Sequence, residues 1–472
     1  MGMIQKALKK KHAPLIAMLF VLAITAIYLG VRVSSGSSTF PGIESSQNLY
    51  EADLVSSMLK GEETILTMQA DHDASVNIYT FLLAETGGDA LILLAMNIVL
   101  AMLVLMMLNI VLKHFAIAKD KRTLTILFFG LSPLFIYYAA SLAAVQIFTL
   151  LSLSSLLFLK RRKIFFYLIS LIIPLFGIEL LVVHLIIILA VALYKNRIRS
   201  FYEALAAGGG LMLLLVVLGF APSMHEIPFA TSEMFIREFI SEFGGSRSLG
   251  IMLVTIAAYG FIRQLLSQKR QALQFIFAVS LMVLPLIEFR SFYFLGIAAA
   301  VYAADGASAL LARKWYSNDL KMLTIVIIMC GFLFTLLSYS STFLSLPLQA
   351  EEKEALDWFA KQPDGNVLTG PFFAYHVRAY SGKPVVATAS SATFIESQDV
   401  ETIFQSFDLD ATLALLRERD VDYIVLTDEI KERVWSRPDQ GLLFLFSNDM
   451  HFRKLYADKE IIEIWAVNTS RR

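Results

Sequence analysis

Seven residues of this sequence carry most of its potential for chemistry: Glu44, the run Asp71-His72-Asp73, Glu179, Glu233 and Arg290. Glu44 sits in Phe40-Pro41-Gly42-Ile43-Glu44-Ser45-Ser46, and Arg290 closes the short turn Glu288-Phe289-Arg290. Carboxylates offer hard oxygen ligands to a divalent cation such as Mg or Mn. A guanidinium receives a phosphate in a planar fork, the part expected of Arg290. Each residue also has a plainer reading: solvated surface carboxylates, an Arg290 paired with Glu288 or lipid headgroups, an exposed His72. The sequence contains no phosphate-binding Gly-rich loop with its Lys, no His-Glu-x-x-His and no nucleophile elbow. Gly208-Gly209-Gly210 falls inside an apolar run, where close helix packing accounts for it.

The elements that must position these residues are membrane helices. Hydrophobic residues make up 57% of the 472 and charged residues 17%, against roughly 45–50% and about 25% in soluble proteins, which excludes an ordinary soluble globule. The zero net charge is a cancellation: residues 1–349 hold 26 Lys and Arg against 19 Asp and Glu, and residues 350–472 hold 14 against 21. That asymmetry predicts a multi-span membrane domain over 1–349 and a water-facing domain over 350–472. Cys330 is the sole cysteine, so no intrachain disulfide forms.

A span takes about 20 apolar residues. About eleven candidates are present, at 13–33, 89–112, 122–139, 142–159, 164–177, 178–194, 204–221, 248–266, 272–287, 291–312 and 321–346. Pro174 and Gly177 end the fifth, so the fifth and sixth read as a tight helical hairpin. The loops Lys113 to Arg122, Lys160 to Lys163, Lys195 to Arg199, Arg263 to Arg270 and Arg313 to Lys321 are basic, as is the N-terminus with Lys6, Lys9, Lys10 and Lys11. Cationic loops stay in the cytoplasm, so the chain is expected to be a multi-pass protein of the cell membrane with a cytoplasmic N-terminus. The long loops 34–88 and 222–247 and the domain 350–472 then lie outside. The first apolar run is longer than a signal peptide's and lacks a small-x-small cleavage site, which makes it an uncleaved anchor.

Within the first outer loop, Leu49, Ala52, Val55, Met58 and Leu59 recur at helical spacing, predicting a helix lying flat on the membrane over 48–60. The domain 350–472 reads as α/β. Helices are expected near 351–361 and 411–419, and strands near 366–369, 384–387, 423–427 and 461–467. Asn468-Thr469-Ser470 has the form of an N-glycosylation acceptor.

This layout resembles the GT-C class of membrane glycosyltransferases. Glu44-Ser45-Ser46-Gln47 with Ala52 is similar to that class's acidic motif after the first span, with Glu for Asp. Asp71-His72-Asp73-Ala74-Ser75 through Tyr79 to Ala84 resembles its His-Pro-Pro-Leu-Tyr segment without the prolines, Ser132 to Tyr137 its third-span ending, and Pro174 to Leu181, with Glu179, its Arg-Pro-Glu-Gly-Leu hairpin. Arg290 to Phe294, Tyr375 to Val386 and Asp420 to Leu426 are similar to stretches of the oligosaccharyltransferase catalytic subunit, and Thr231-Ser232-Glu233 is set against its mobile-loop Thr-Ile-x-Glu. Two motifs depart from the pattern. Gly370-Pro371-Phe372-Phe373-Ala374 stands where Trp-Trp-Asp-Tyr-Gly recognises the sequon, and Val145-Gln146-Ile147 stands where a second Asp-x-Asp follows the third span.

The resemblance implies a short, degenerate relative that takes a sugar from a polyprenyl-phosphate carrier, of the dolichyl-phosphate type, and gives it to a glycan, lipid or protein acceptor on the outer face. Nucleic acid is not an expected partner. Under that implication Glu44 is the general base, with Asp73 next in line, and Arg290 holds the carrier phosphate. A divalent metal would rest on Glu44 and Asp71, and His72, Glu179 and Glu233 are additional site candidates. The alternative is a GT-C-like membrane protein without catalysis, acting as a scaffold or as a glycan- or partner-binding subunit. A carrier would instead place polar residues at mid-membrane, where Asn97, His184 and Asp305 are the candidates.

Overall fold

The computed structural model describes residues 12–34, 45, 49–52, 55–56, 80, 83–84, 90–141, 144–159, 163–176, 178–194, 198–217, 240, 248–267, 291–345, 348–370, 373–386, 400, 402–435, 437, 440–458 and 461–468. The molecule is mostly helical, with apolar helices followed by a small mixed sheet. The helices in chain order are α1 (Ala13–Ser34), α2 (Ala90–His114), α3 (Lys119–Gly130), α4 (Pro133–Ala140), α5 (Val145–Phe158), α6 (Lys163–Ile172), α7 (Ile178–Tyr194), α8 (Ile198–Val217), α9 (Ile251–Ser267), α10 (Phe292–Ala312) and α11 (Asn318–Ser345).

Among the described residues, α2, α10 and α11 are each long and apolar enough to cross a bilayer, and α3 with α4 makes a fourth if the bent pair counts as one span. The anticipated spans 13–33, 142–159, 164–177, 178–194 and 248–266 are shorter apolar helices, 204–221 falls largely on α8, and 272–287 lies outside the described residues. The 122–139 stretch is therefore not one continuous helix; it bends by 62° between Gly130 and Pro133. Ser132 takes an extended conformation, ψ 142°, as residues before proline prefer. Its hydroxyl donates to the Phe129 carbonyl at 2.6 Å and accepts from the Phe135 amide at 3.2 Å, capping α4 across the break. Pro174 acts in the same sense, turning the end of α6 into the 3-10 turn Ile173–Phe176.

Small residues let the helices close. A methyl group on Gly260 of α9 would strike the Tyr302 carbonyl of α10, and one on Gly306 would lie 2.7 Å from the Ile256 carbonyl. Of the three consecutive glycines in α8, Gly208 alone sits at such an approach, 2.7 Å from the Leu181 side chain and 3.0 Å from the Ser170 carbonyl. At one end of the bundle Asp305 pairs with Lys121 and, at 3.7 Å, with Arg263, tying α10 to α3 and α9. Glu203 likewise meets Lys163 and Arg199 at 3.0 Å each.

The other end of the bundle, the sheet end, leads through α11 into α12 (Ala350–Phe359), β1 (Asn366–Leu368), α13 (Ala374–Ser381), α14 (Leu409–Glu418), β2 (Val421–Thr427), α15 (Asp428–Val434), α16 (Gly441–Leu445), β3 (Phe452–Asp458) and β4 (Ile462–Val467). The strand order is β1-β2-β4-β3, with β1 parallel to β2 and β4 antiparallel to both β2 and β3. Central β2 is buried on both faces: Ile424 and Leu426 belong to one apolar core with Trp435 and Phe452, and Tyr423 and Val425 to a second with Phe359 and Val377. Asp408 caps α14 by accepting from the Asp410 and Ala411 amides, and Gly382 ends α13 at φ 69°. The 384–387 segment forms an isolated parallel bridge, Val385 to Val367, and not a strand. Strand β3 and helices α13, α15 and α16 were not anticipated, their sequences being polar or short.

Candidate functional site

Glu44, Asp71, His72, Asp73, Glu233 and Arg290 lie outside the described residues. Glu179 is in the first turn of α7, and its side chain lies outside them as well. The described neighbours of Glu44 and Arg290 are Ser45 and Ser291, both buried. Between α1 and α2, residues 49–52 and 55–56 are helical, with Ala52 and Val55 buried, in keeping with the spacing there.

What the described residues do assemble is a buried polar group at the sheet end, where α4 finishes and α2, α5 and α10 begin. The Asn97 side-chain amide of α2 donates to the Ser141 carbonyl at 3.1 Å. From the first turn of α5, the Gln146 amide nitrogen donates to the Tyr138 carbonyl. Tyr138 packs edge-on against Tyr293 of α10 with ring centroids 5.3 Å apart, and Phe148 meets Phe294 at 5.4 Å. Asn97, Ser141, Gln146, Thr149, Ser291 and Tyr293 are each no more than 1% exposed. Yet five polar atoms of the group have no hydrogen-bond partner among the described residues: Ser141 Oγ, Gln146 Oε1, Thr149 Oγ1, Ser291 Oγ and the Tyr293 hydroxyl. Leaving a buried polar atom unpaired costs roughly 1–3 kcal/mol, and five at one end of one bundle is a concentration that folding alone does not reward.

Sequence reasoning missed this group, noting Gln146 only as a departure from an acidic motif. A signal was present: Gln146, Thr149, Ser152 and Ser155 recur every third residue through a helix that is apolar elsewhere except at Ser154, and all four are buried. One to two turns below, Ser152 Oγ and His184 Nδ1 are 3.2 Å apart. His184 is fully buried and its Nε2 has no partner. Of the three residues a carrier would use at mid-membrane, Asn97 bonds at the sheet end and Asp305 pairs at the opposite end, which leaves His184 alone in the interior.

The group is neutral. Among the described residues no three His, Cys, Asp or Glu side chains lie close enough together to hold a metal ion, and Gln146 offers an amide where a carboxylate would be needed. The described donor set therefore does not fit a divalent metal. The Arg378 guanidinium of α13 lies over the Tyr50 ring at 5.6 Å, joining the sheet region to the segment between α1 and α2. His376 stands between Phe373 and Tyr380, with ring centroids at 5.6 and 6.5 Å, and burial pushes its imidazole down to about 4.

No family model matches the sequence, and no curated protein matches it either. Solved structures do. The oligosaccharyltransferase of Archaeoglobus fulgidus, tethered to an acceptor peptide containing the NVT sequon, aligns with a TM-score of 0.59 over 97% of this chain and 74% of its own, at 10% identity. Its apo form aligns at 0.57 over 97% and 75%, also at 10% identity. The same enzyme in complex with Zn and sulfate aligns at 0.53 over 83% of this chain and 64% of its own, at 12% identity. The chain thus has the fold of an archaeal oligosaccharyltransferase of the GT-C class along nearly its whole length.

Proposed function

We propose that the protein is a membrane glycosyltransferase that moves a sugar from a polyprenyl-phosphate carrier to a glycan, lipid or protein acceptor on the outer face of the cell membrane. The single observation that carries this reading is the fold likeness to oligosaccharyltransferase, at a TM-score of 0.59 over 97% of the chain. In the proposed reaction the acceptor hydroxyl loses its proton to Glu44 as its oxygen attacks the anomeric carbon, with Asp73 the next candidate for that proton. The bond from the anomeric carbon to the phosphate oxygen breaks, and Arg290 neutralises the departing phosphate. A divalent metal resting on Glu44 and Asp71 would add positive charge at that phosphate. His72, Glu179 and Glu233 are the remaining charged candidates around the outer loops. Sequon-directed transfer is not part of the proposal, because Gly370 to Ala374 replaces the motif that resembles the sequon reader.

A second reading has its own observation. Gln146, at the second acidic position, spends its amide nitrogen on the Tyr138 backbone carbonyl. That favours a GT-C-like protein without catalysis, acting as a scaffold or a glycan-binding subunit. Purified protein incubated with a panel of polyprenyl-phosphate sugars separates the two. Transfer by the wild type that falls at least about 100-fold in Glu44→Gln supports the enzyme with Glu44 as base. Transfer by neither protein favours the scaffold, and equal transfer by both removes Glu44 from the mechanism.

A further inference from the structure

The polar group at the sheet end has features that packing does not explain. Its unpaired atoms come from four separate segments: Ser141 after α4, Gln146 and Thr149 on α5, Ser291 just before α10, and Tyr293 on it. All are neutral. Hydroxyls can donate and accept, and the Gln146 carbonyl oxygen accepts. The same region holds an aromatic row in which Tyr293 meets Phe129 and Tyr138 edge-on, with ring centroids 5.2 and 5.3 Å apart. An anion would call for cationic partners and a metal for carboxylates, and the described part of the group contains neither. A neutral pyranose fits: it presents several hydroxyls that both donate and accept, separated by C–H faces that pack on aromatic rings.

We propose that Gln146, Thr149 and Tyr293, with Ser141 and Ser291, form the subsite that recognises the sugar of the lipid-linked donor through its hydroxyls. The proposal rests on the lipid-carrier reading above and adds to it the part of the donor that is read and the side chains that read it. Recognition of this kind discriminates by hydroxyl pattern, because a sugar lacking a matching hydroxyl leaves the buried protein atom unpaired again. These are positioning and specificity residues. The proton and the phosphate are handled by Glu44 and Arg290.

The test compares carriers with and without their sugar. Full-length protein in lipid nanodiscs is titrated with bare polyprenyl phosphate and with the same lipid carrying glucose, mannose or N-acetylglucosamine, for the wild type, Tyr293→Phe and Thr149→Val. Thermal unfolding of each variant is followed in parallel. At least one sugar-bearing lipid should bind the wild type more tightly than the bare carrier. Each substitution should cut that increment by about three- to tenfold, with affinity for the bare carrier unchanged. Because each removes a hydroxyl that has no partner in the unliganded protein, neither should lower the unfolding temperature.

An increment that is the same in wild type and variants overturns the subsite, with ordered water then the occupant. So does the absence of any increment while the bare carrier still binds, and in both cases the carrier reading stands. Failure to bind any of the lipids overturns the carrier reading and the subsite with it. A variant with a lowered unfolding temperature is replaced by Ser141→Ala, which is read by the same criteria.

Discussion

Lys383 is the clearest case of a charged residue whose place is set by packing. Its side chain is 1% exposed, and its ammonium donates to the Gln362 and Pro363 carbonyls at 2.8 Å each. The rings of Phe359 and Tyr423 lie 5.1 and 5.9 Å away, and Asp364 is 3.8 Å off. Replacing it by Met keeps the volume and strands both carbonyls, so Lys383→Met should destabilise the sheet region by about 3 kcal/mol in denaturant unfolding. His376 works in the opposite sense, as a neutral ring that burial prefers. Its folded value of about 4 lies below the 6.5 of an exposed histidine, so its contribution to stability is complete above pH 6.5 and is lost as pH falls toward 4. The residue as a whole is only half-buried, so the loss is well below the roughly 3 kcal/mol that the full shift converts to. Unfolding temperatures between pH 7.5 and 4.5 should fall more steeply for wild type than for His376→Gln. Glu463 shows how such effects compete: burial raises its carboxyl, and Trp465, Lys431 and Lys454 together outweigh that and leave it below the ordinary range. Spacing alone showed none of these three roles, since Lys383 draws on Gln362 and Pro363, 21 and 20 residues away, Glu463 on Lys431 and Lys454 of other elements, and the shift of His376 on its burial.

At the scale of elements, the bend between α3 and α4 and the closure of α9 on α10 do the positioning. The bend delivers Tyr138 and Ser141 to the ends of α5 and α10, and Pro133 with the Ser132 cap supplies its cause. Helix α9 meets α10 through Gly260 and Gly306, where backbone touches backbone. A methyl at Gly260 would press on backbone alone, the Tyr302 carbonyl and the Gly306 nitrogen, which no rotamer change relieves, so Gly260→Ala should cost about 1–3 kcal/mol and lower the unfolding temperature in detergent. Gly210→Ala is the matched control: nothing lies within 4 Å of the added methyl, and the substitution should be neutral or slightly stabilising. The apolar runs themselves were legible as helices. Their breaks at Pro133 and Pro174 were legible only in part, because proline marks a disturbance without saying whether the helix ends, bends or tightens.

Across the whole molecule, the alternation of basic loops leads us to propose that the C-terminal region and the carboxylate-bearing loops share the outer face. A reporter enzyme fused after Arg472 should therefore be active only outside the cytoplasm, and cytoplasmic activity would remove the common compartment on which the transfer proposal depends. The Arg378–Tyr50 contact is in keeping with that assignment, since it joins the sheet region to the first long loop. By itself, the sequence determined the membrane class, the apolar segments and most of the central sheet, Val421–Thr427 and Ile462–Val467 among them. These follow from composition and local periodicity, which act within a turn or a strand. It also marked where carboxylates and Arg290 fall along the chain. Only the tertiary structure decided that Asn97, Tyr138, Ser141, Gln146 and Tyr293 meet, because they come from four helices and the connections between them, separated by up to 196 residues. Convergence of that kind is a property of helix crossing and of the bend at Pro133, and a polar residue in an apolar run carries no local sign of whether it will face lipid, a neighbouring helix or a shared interior.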